Sequence, residues 1–107
     1  MSRVNYKKLV KQIPSKVQIA PKVFYDVVWQ KEIVDTKGNH LYGLSDLTNK
    51  VITIKMDLPA KLTIEIYFHE LYHCFSEELE LGLTETQVLK MEHAAPYILK
   101  KGNIFNE

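Results

Sequence analysis

One long stretch without glycine or proline constrains the fold of this chain more than any other feature. It runs from residue 60 to about Glu80, and Asp57 and Pro59 just before it are typical of a helix start, as a cap and as a first-turn residue. Apolar residues recur at helical spacing along two stripes on roughly opposite sides. One stripe comprises Ile64, Phe68, Leu71, Phe75 and Leu79, and the other comprises Leu62, Ile66, His69 and His73. The pattern predicts a single long helix that is covered on two sides.

The chain before this helix predicts one short helix and a small sheet. Residues 3–13 carry apolar side chains at helical spacing, and Pro14 ends the pattern. β-Branched and aromatic residues dominate residues 23–30, and turn-forming residues 35–39 separate this segment from a short run at residues 41–44. These segments are predicted to be two strands joined by a hairpin. Residues 51–56 are predicted to form a third strand, which gives a three-stranded, mainly antiparallel sheet.

The chain after the long helix predicts one more helix. Leu81-Gly82-Leu83 is typical of a helix end, and residues 84–87 have the Thr-x-x-Gln pattern of a capping box, which opens a last helix running toward Lys101. A chain of 107 residues is long enough for one hydrophobic core, so we predict a single domain spanning residues 1–107. The predicted fold class is α+β, with an N-terminal helix, a three-stranded sheet, the long helix and a C-terminal helix.

The composition bears on partners and location. The 14 basic and 13 acidic side chains nearly balance, so the net charge gives no sign of binding to nucleic acid or to an anionic membrane. No apolar run approaches the roughly 20 residues that span a bilayer. The single cysteine, Cys74, cannot form an internal disulfide, and no apolar leader follows the first basic residues. We therefore expect a cytoplasmic protein without a nucleic-acid or membrane partner, of undetermined oligomeric state.

The long helix carries the sequence His69-Glu70-Leu71-Tyr72-His73, an H-E-x-x-H motif. Residues four apart on a helix differ by about 40° in direction and about 6 Å in height, so both imidazoles can bind one tetrahedral metal ion. Glu70 points about 100° away from His69, beside the ion, where its carboxylate can accept a proton from a water molecule. The motif predicts a zinc site formed by His69 and His73, with Glu70 as the catalytic general base.

A catalytic zinc site usually has a third protein ligand and one open position. In the last helix Glu92 falls on the same face as Val88, Ala95 and Leu99, so we expect its carboxylate to face inward. A buried carboxylate needs a partner, and a metal ion is one. Pro96 should kink this helix at Glu92 because its ring displaces the carbonyl four residues earlier. Glu92 is therefore the predicted third ligand. The other candidates are His93, Glu77, Glu80 and Glu85.

These residues together resemble a family, the short zincin-type metallopeptidases of phages and prophages that are related to the ImmA/IrrE peptidases. The resemblance covers most of the chain and rests on the H-E-L-Y-H helix, the turn and strand from Gly43 to Ile54, and the glutamate within Met91–Ala95. It implies a compact minimal zincin fold, zinc bound by His69, His73 and Glu92, and Glu70 as the base. It also implies a peptide or protein substrate, such as a repressor whose cleavage the peptidase controls.

The predicted function is hydrolysis of a peptide bond by a zinc metallopeptidase. The competing hypothesis is a non-catalytic protein in which zinc only stabilises the fold and which acts by docking on a repressor or a host factor. Glu70 distinguishes the two hypotheses, because a purely structural zinc site does not need a general base.

Overall fold

The computed structural model of the protein describes residues 4–93. Its elements, in chain order, are α1 (Tyr6–Gln12), β1 (Lys16–Ala20), β2 (Val23–Gln30), β3 (Ile33–Val34), β4 (His40–Leu41), β5 (Gly43–Asp46), β6 (Val51–Lys55), α2 (Ala60–Glu78) and α3 (Glu85–Glu92). This mixture of helices and one principal sheet confirms the predicted α+β class.

The main sheet has four strands in the order β1-β2-β6-β5. The pairs β1–β2 and β5–β6 are antiparallel, whereas β2 and β6 run parallel to each other. A separate two-stranded hairpin is formed by β3 and β4. The predicted three-stranded, mainly antiparallel sheet is therefore wrong in the number of strands and in their pairing.

The position of β6 explains the difference. Ile52 and Ile54 of β6 are fully buried, as expected for a strand with neighbours on both sides. Because β6 pairs with β2 on one side and β5 on the other, the predicted hairpin between β2 and β5 does not form. The first strand, β1, was not predicted, since Ile19 is its one fully buried residue and its pattern is only five residues long.

The predicted N-terminal and central helices are both present. The Asn5 side chain accepts a hydrogen bond from the Lys8 backbone N–H and caps α1. The central helix, α2, begins at Ala60 with Pro59 at its N-cap. The prediction that Asp57 caps this helix is wrong, because Asp57 has a positive φ of 64° and lies in the turn before it.

The capping box predicted for the last helix is confirmed. Thr84 Oγ1 accepts a hydrogen bond from the Gln87 backbone N–H, and the Gln87 side chain accepts one from the Thr84 backbone N–H. The predicted continuation of α3 toward residue 101 lies outside the described residues, and so do Ala95, Pro96 and Leu99.

The core lies between α2 and one face of the main sheet. The long helix contacts β1, β5 and β6, and α1 and α3 pack against its other sides, which confirms the predicted cover on two sides. The core residues are Ile19, Tyr25, Val27, Ile52, Ile54, Tyr67, Leu71 and Cys74. Within residues 4–93, no helix has both the length and the apolar character needed to cross a membrane.

The edge strand β5 lies very close to α2. A Cβ atom at Gly43 would lie 2.6 Å from Ile66 Cγ2, so a glycine is needed for this approach. At the end of the β5–β6 turn, Lys50 Nζ lies 2.6 and 2.9 Å from the two carboxylate oxygens of Glu78 and 5.5 Å from the ring centroid of Tyr25. These contacts hold the β5–β6 hairpin along the part of α2 that carries the motif.

Candidate metal centre

The two histidines of the motif bring one nitrogen each to the same point. Both lie on α2, four residues apart, and their Nε2 atoms are 3.1 Å from each other. Their ring centroids are 4.8 Å apart. The structure therefore brings together the two predicted ligands, as the spacing of residues i and i+4 on a helix requires.

Glu85 supplies a carboxylate to the same point. It is the first residue of α3, and its Oε1 lies 2.9 Å from His69 Nε2 while its Oε2 lies 3.0 Å from His73 Nε2. Its side chain is 61% exposed, whereas that of His69 is 14% exposed. His69, His73 and Glu85 thus form a group of three donors that could hold a metal ion.

The spacing of these donors fits a tetrahedral zinc ion. Bonds of about 2.0–2.2 Å to nitrogen and oxygen place neighbouring donors of a tetrahedron roughly 3.4 Å apart. The two histidine nitrogens are 3.1 Å apart, and each lies within 3.0 Å of a different oxygen of the Glu85 carboxylate. A small outward movement of the rings and a rotation of this exposed carboxylate would accommodate the ion. Two imidazoles and one carboxylate are also the donor set of several catalytic zinc sites.

Glu92 contacts the other nitrogen of the His69 ring. The side chain is buried, as predicted, and its Oε2 lies 2.5 Å from His69 Nδ1. In the tautomer that carries its proton on Nδ1, His69 donates this hydrogen bond, because an ionised carboxylate only accepts. The Nε2 lone pair of His69 then faces His73 and Glu85, and the ring cannot rotate freely.

The two carboxylates of α3 lie on opposite sides of the His69 ring. Glu92 was predicted to be the third ligand, but it lies on the Nδ1 side of His69 and Glu85 lies on the Nε2 side. The periodicity of α3 gave the burial of Glu92 correctly. It did not indicate which ring nitrogen the carboxylate reaches, because both nitrogens of His69 are accessible from α3.

The remaining ligand candidates lie elsewhere. His93, which was the next candidate, forms a close ion pair through Nδ1 with Glu65 on α2, and its side chain is 64% exposed. Glu77 is exposed on the rim of the neighbouring cleft, and Glu80 lies in the connection after α2 with a positive φ of 54°. None of these three belongs to the donor group formed by the described residues.

Glu70 lies beside this group and is held by the edge strand. Only 8% of the residue is exposed, and Ser45 Oγ on β5 donates a hydrogen bond of 2.7 Å to its Oε1. Burial raises the pKa of Glu70, while the Ser45 hydrogen bond and the imidazoles of His69 and His73 oppose this rise. A carboxylate with a raised pKa is suited to accepting a proton near neutral pH.

A cleft of about 400 Å³ opens next to these residues. Glu70 and His73 line it on the α2 side, and Gly43 and Ser45 line it on the β5 side. The base candidate and one of the ligand candidates therefore face the same space.

Sequence reasoning missed the parts of the site that lie far away along the chain. Ser45 and Gly43 gave no signal by themselves, because a serine and a glycine in a strand are common. Glu85 was among the alternative ligand candidates, and its position carried a usable signal: it directly follows the capping residue Thr84, so its side chain lies in the first turn of α3. That turn follows a short connection from α2, which returns the chain toward the histidines.

Comparisons of the chain with protein-family models, with curated proteins and with solved structures found no match. The resemblance to ImmA/IrrE-type peptidases stays a prediction from the motif and its surroundings.

Proposed function

We propose that this protein is a zinc-dependent peptidase with His69, His73 and Glu85 as zinc ligands and Glu70 as the general base. The observation that carries the proposal is the pair of Nε2 atoms 3.1 Å apart, both within 3.0 Å of the Glu85 carboxylate, next to the cleft that Glu70 lines.

The proposed roles of the side chains follow from their positions. Bound zinc would polarise the carbonyl of a scissile peptide and lower the pKa of water. Glu70 accepts a proton from the attacking water and transfers it to the leaving amine. Glu92 keeps His69 in the tautomer with its proton on Nδ1, so that Nε2 is free to act as a ligand.

The edge strand β5 offers a place for the substrate backbone. It is the last strand in the sheet order, so one side of its backbone has no partner strand among residues 4–93. An extended peptide can pair with such an edge through main-chain hydrogen bonds, without recognition of its side chains. Gly43, Leu44 and Ser45 of this strand line the cleft that contains Glu70. A peptide or protein, for example a repressor, is the proposed substrate.

Metal analysis and a single substitution test the proposal. Purified wild type should contain one zinc ion per chain and cleave peptides in a diverse, mass-spectrometry-analysed library. Glu70→Gln should keep the zinc and lose about 100-fold or more of the cleavage rate, because general-base catalysis contributes about 10²–10⁴-fold. Glu65→Gln is the matched control on the same helix, and it should leave cleavage unchanged.

The outcomes separate the competing functions. Equal cleavage by wild type and Glu70→Gln would show that Glu70 is not the base. Zinc-loaded wild type that cleaves nothing in the library would instead favour the docking hypothesis. A wild type that binds no zinc would reject both.

A further inference from the structure

Two residues of β5 face the same carboxylate. Gly43 and Ser45 are two positions apart and therefore lie on one face of the strand, whereas Leu44 between them points away and is 40% exposed. Ser45 Oγ is 2.7 Å from Glu70 Oε1. A Cβ atom on Gly43 would lie 3.1 Å from Glu70 Oε2 and 3.2 Å from Glu70 Cγ. The strand thus hydrogen bonds to one carboxylate oxygen, and the glycine leaves space for the other.

The direction of the Ser45 hydroxyl is set by a second side chain. Cys74, one helical turn after Glu70, donates its S–H to Ser45 Oγ over 3.7 Å. In this contact the thiol is the donor and the Ser45 hydroxyl oxygen is the acceptor, which leaves the hydroxyl proton of Ser45 available for another partner. The single hydroxyl proton of Ser45 is then directed at Glu70, whose Oε1 is closer than its backbone oxygen at 3.3 Å.

We propose that Ser45 is a positioning residue for Glu70, and that Cys74 orients the Ser45 hydroxyl. With Oε1 engaged by Ser45, Oε2 is the oxygen left to accept the proton of the attacking water. This inference rests on the proposed function of Glu70 as the general base. It goes further because it assigns a purpose to a serine and a cysteine that no ligand or base motif includes.

A purely structural role would predict a different behaviour. If Ser45 only satisfied a buried carboxylate, its removal would lower stability without changing how Glu70 meets a ligand in the cleft. A readout that reports on Glu70 itself is therefore needed. Acetohydroxamic acid supplies one, because it binds a metal through its two oxygens and its N–H and O–H groups need an acceptor such as the base.

The experiment uses full-length protein loaded with Co²⁺, whose visible absorption reports acetohydroxamic acid binding without any substrate. Glu70→Gln should weaken the affinity most. Ser45→Ala should weaken it about 3- to 10-fold, the effect of one misplaced hydrogen bond. Ser45→Thr should restore it, because the hydroxyl is kept. Cys74→Ser should resemble wild type, and Cys74→Ala should lose about 2- to 3-fold.

Thr63→Val is the matched control. It removes a hydroxyl from a buried position of α2 that bonds to the Pro59 backbone oxygen, away from the cleft, so the affinity should not change. Thermal melts of every variant report whether it folds, and Co²⁺ content reports whether the ligands are intact.

The outcomes separate the two proposals. If Ser45→Ala binds acetohydroxamic acid as tightly as wild type, with or without a lower Tm, the positioning role of Ser45 is overturned. The role of Glu70 still stands in that case if Glu70→Gln binds more weakly. Equal weakening in Ser45→Ala and Ser45→Thr also overturns it, because the hydroxyl would not be the cause. Unchanged affinity in Glu70→Gln, or no Co²⁺ binding by wild type, overturns the proposed function and this inference with it.

Discussion

The two sides of α2 support the candidate site in different ways. On the side of the sheet, Glu70 is buried against β5, a strand that is paired with the central strand β6. On the side of α3, His69 meets Glu85 and Glu92, which come from a helix of eight residues. The proposed base is therefore held against the main sheet, while the proposed third ligand depends on the placement of one short helix.

The proposed base and the proposed third ligand also differ in exposure. Glu70 is 8% exposed, and the Glu85 side chain is 61% exposed. A buried group is fixed by its neighbours, whereas an exposed carboxylate keeps rotamer freedom until it binds something. We infer that the Glu70 side chain is already fixed before a metal ion binds, whereas the Glu85 side chain is fixed only when it binds the ion.

The largest expected effect comes from removing the two carboxylates of the α3 side. Glu85→Ala should lower zinc affinity by more than Glu92→Ala, because it removes a ligand, whereas Glu92→Ala removes the partner of His69 Nδ1 and should cost about 10- to 100-fold. Competition titration with a chromophoric chelator measures both affinities. His93→Ala is the control and should bind zinc like wild type.

The opposite order of the two zinc affinities would contradict this comparison. A greater loss in Glu92→Ala than in Glu85→Ala would make Glu92 the third ligand, as the sequence predicted, and the α3 side would then be buried like the base side.

A substitution on the sheet side should mainly affect stability. Gly43→Ala places a methyl group 2.6 Å from Ile66 Cγ2. Overpacking of this kind costs about 1–3 kcal/mol, which corresponds to a fall in Tm of roughly 5–15 °C. Gly38→Ala is the matched control, because its positive φ of 84° strains alanine although nothing lies within 4 Å. That control should cost about 1 kcal/mol and leave acetohydroxamic acid binding intact.

Equal melting temperatures of Gly43→Ala and wild type would show that β5 can move away from α2. The sheet side would then be no more rigid than the α3 side.

A smaller effect is expected from the cap of α3. Thr84→Ala removes the oxygen that accepts the Gln87 N–H and should cost about 1 kcal/mol. Because Glu85 directly follows this cap, the same variant should also weaken zinc binding by a few-fold. Thr84→Ser keeps the cap and serves as the control. A lower Tm with unchanged zinc affinity would show that Glu85 reaches the histidines without the cap.

The smallest effect concerns the turn that ends β5. The Asp46 carboxylate accepts hydrogen bonds from the backbone and side chain of Asn49 and from the Thr48 backbone N–H. These hydrogen bonds lower the pKa of Asp46. As the pH falls, the Asp46 carboxylate is therefore protonated in the unfolded chain before it is protonated in the folded protein. The contribution of Asp46 to stability is fully present above about pH 4. It is lost as the pH drops through the lower pKa of the folded state.

Melting curves check this sign. The difference in Tm between wild type and Asp46→Asn should be greater at pH 7 than at pH 3. Asp35→Asn is a parallel case on the β3–β4 hairpin, where Asn39 and Lys37 lower the pKa of Asp35 in the same way. A difference that grows toward low pH would contradict the assignment.

The sequence predicted the features that depend on neighbouring residues. Three of these features are present in the structure: the spacing within His69–His73, the capping box of Thr84–Gln87 and the length of α2. Each depends on residues that are close together in the sequence. The stripe through Val88 and Glu92 also gave the buried face of α3.

The rest depends on contacts between distant segments. A strand pattern states which face is buried but does not state which strand lies beside it, so the parallel pairing of β2 with β6 was not predictable. The same limit applies to the site. Ser45 meets Glu70 across 25 positions, and Glu92 meets His69 across 23.

The parallel pairing of β2 with β6 has a consequence for folding. Strands β1 and β2 form one local hairpin, β5 and β6 form another, and the parallel pairing joins residues 25 positions apart, such as Asp26 and Val51. Closing the long loop between β2 and β6 costs more chain entropy than forming either hairpin. The two hairpins should therefore form first, and β2 should pair with β6 afterwards. Since α2 contacts β1 as well as β5 and β6, its docking should hold the two hairpins together in one sheet.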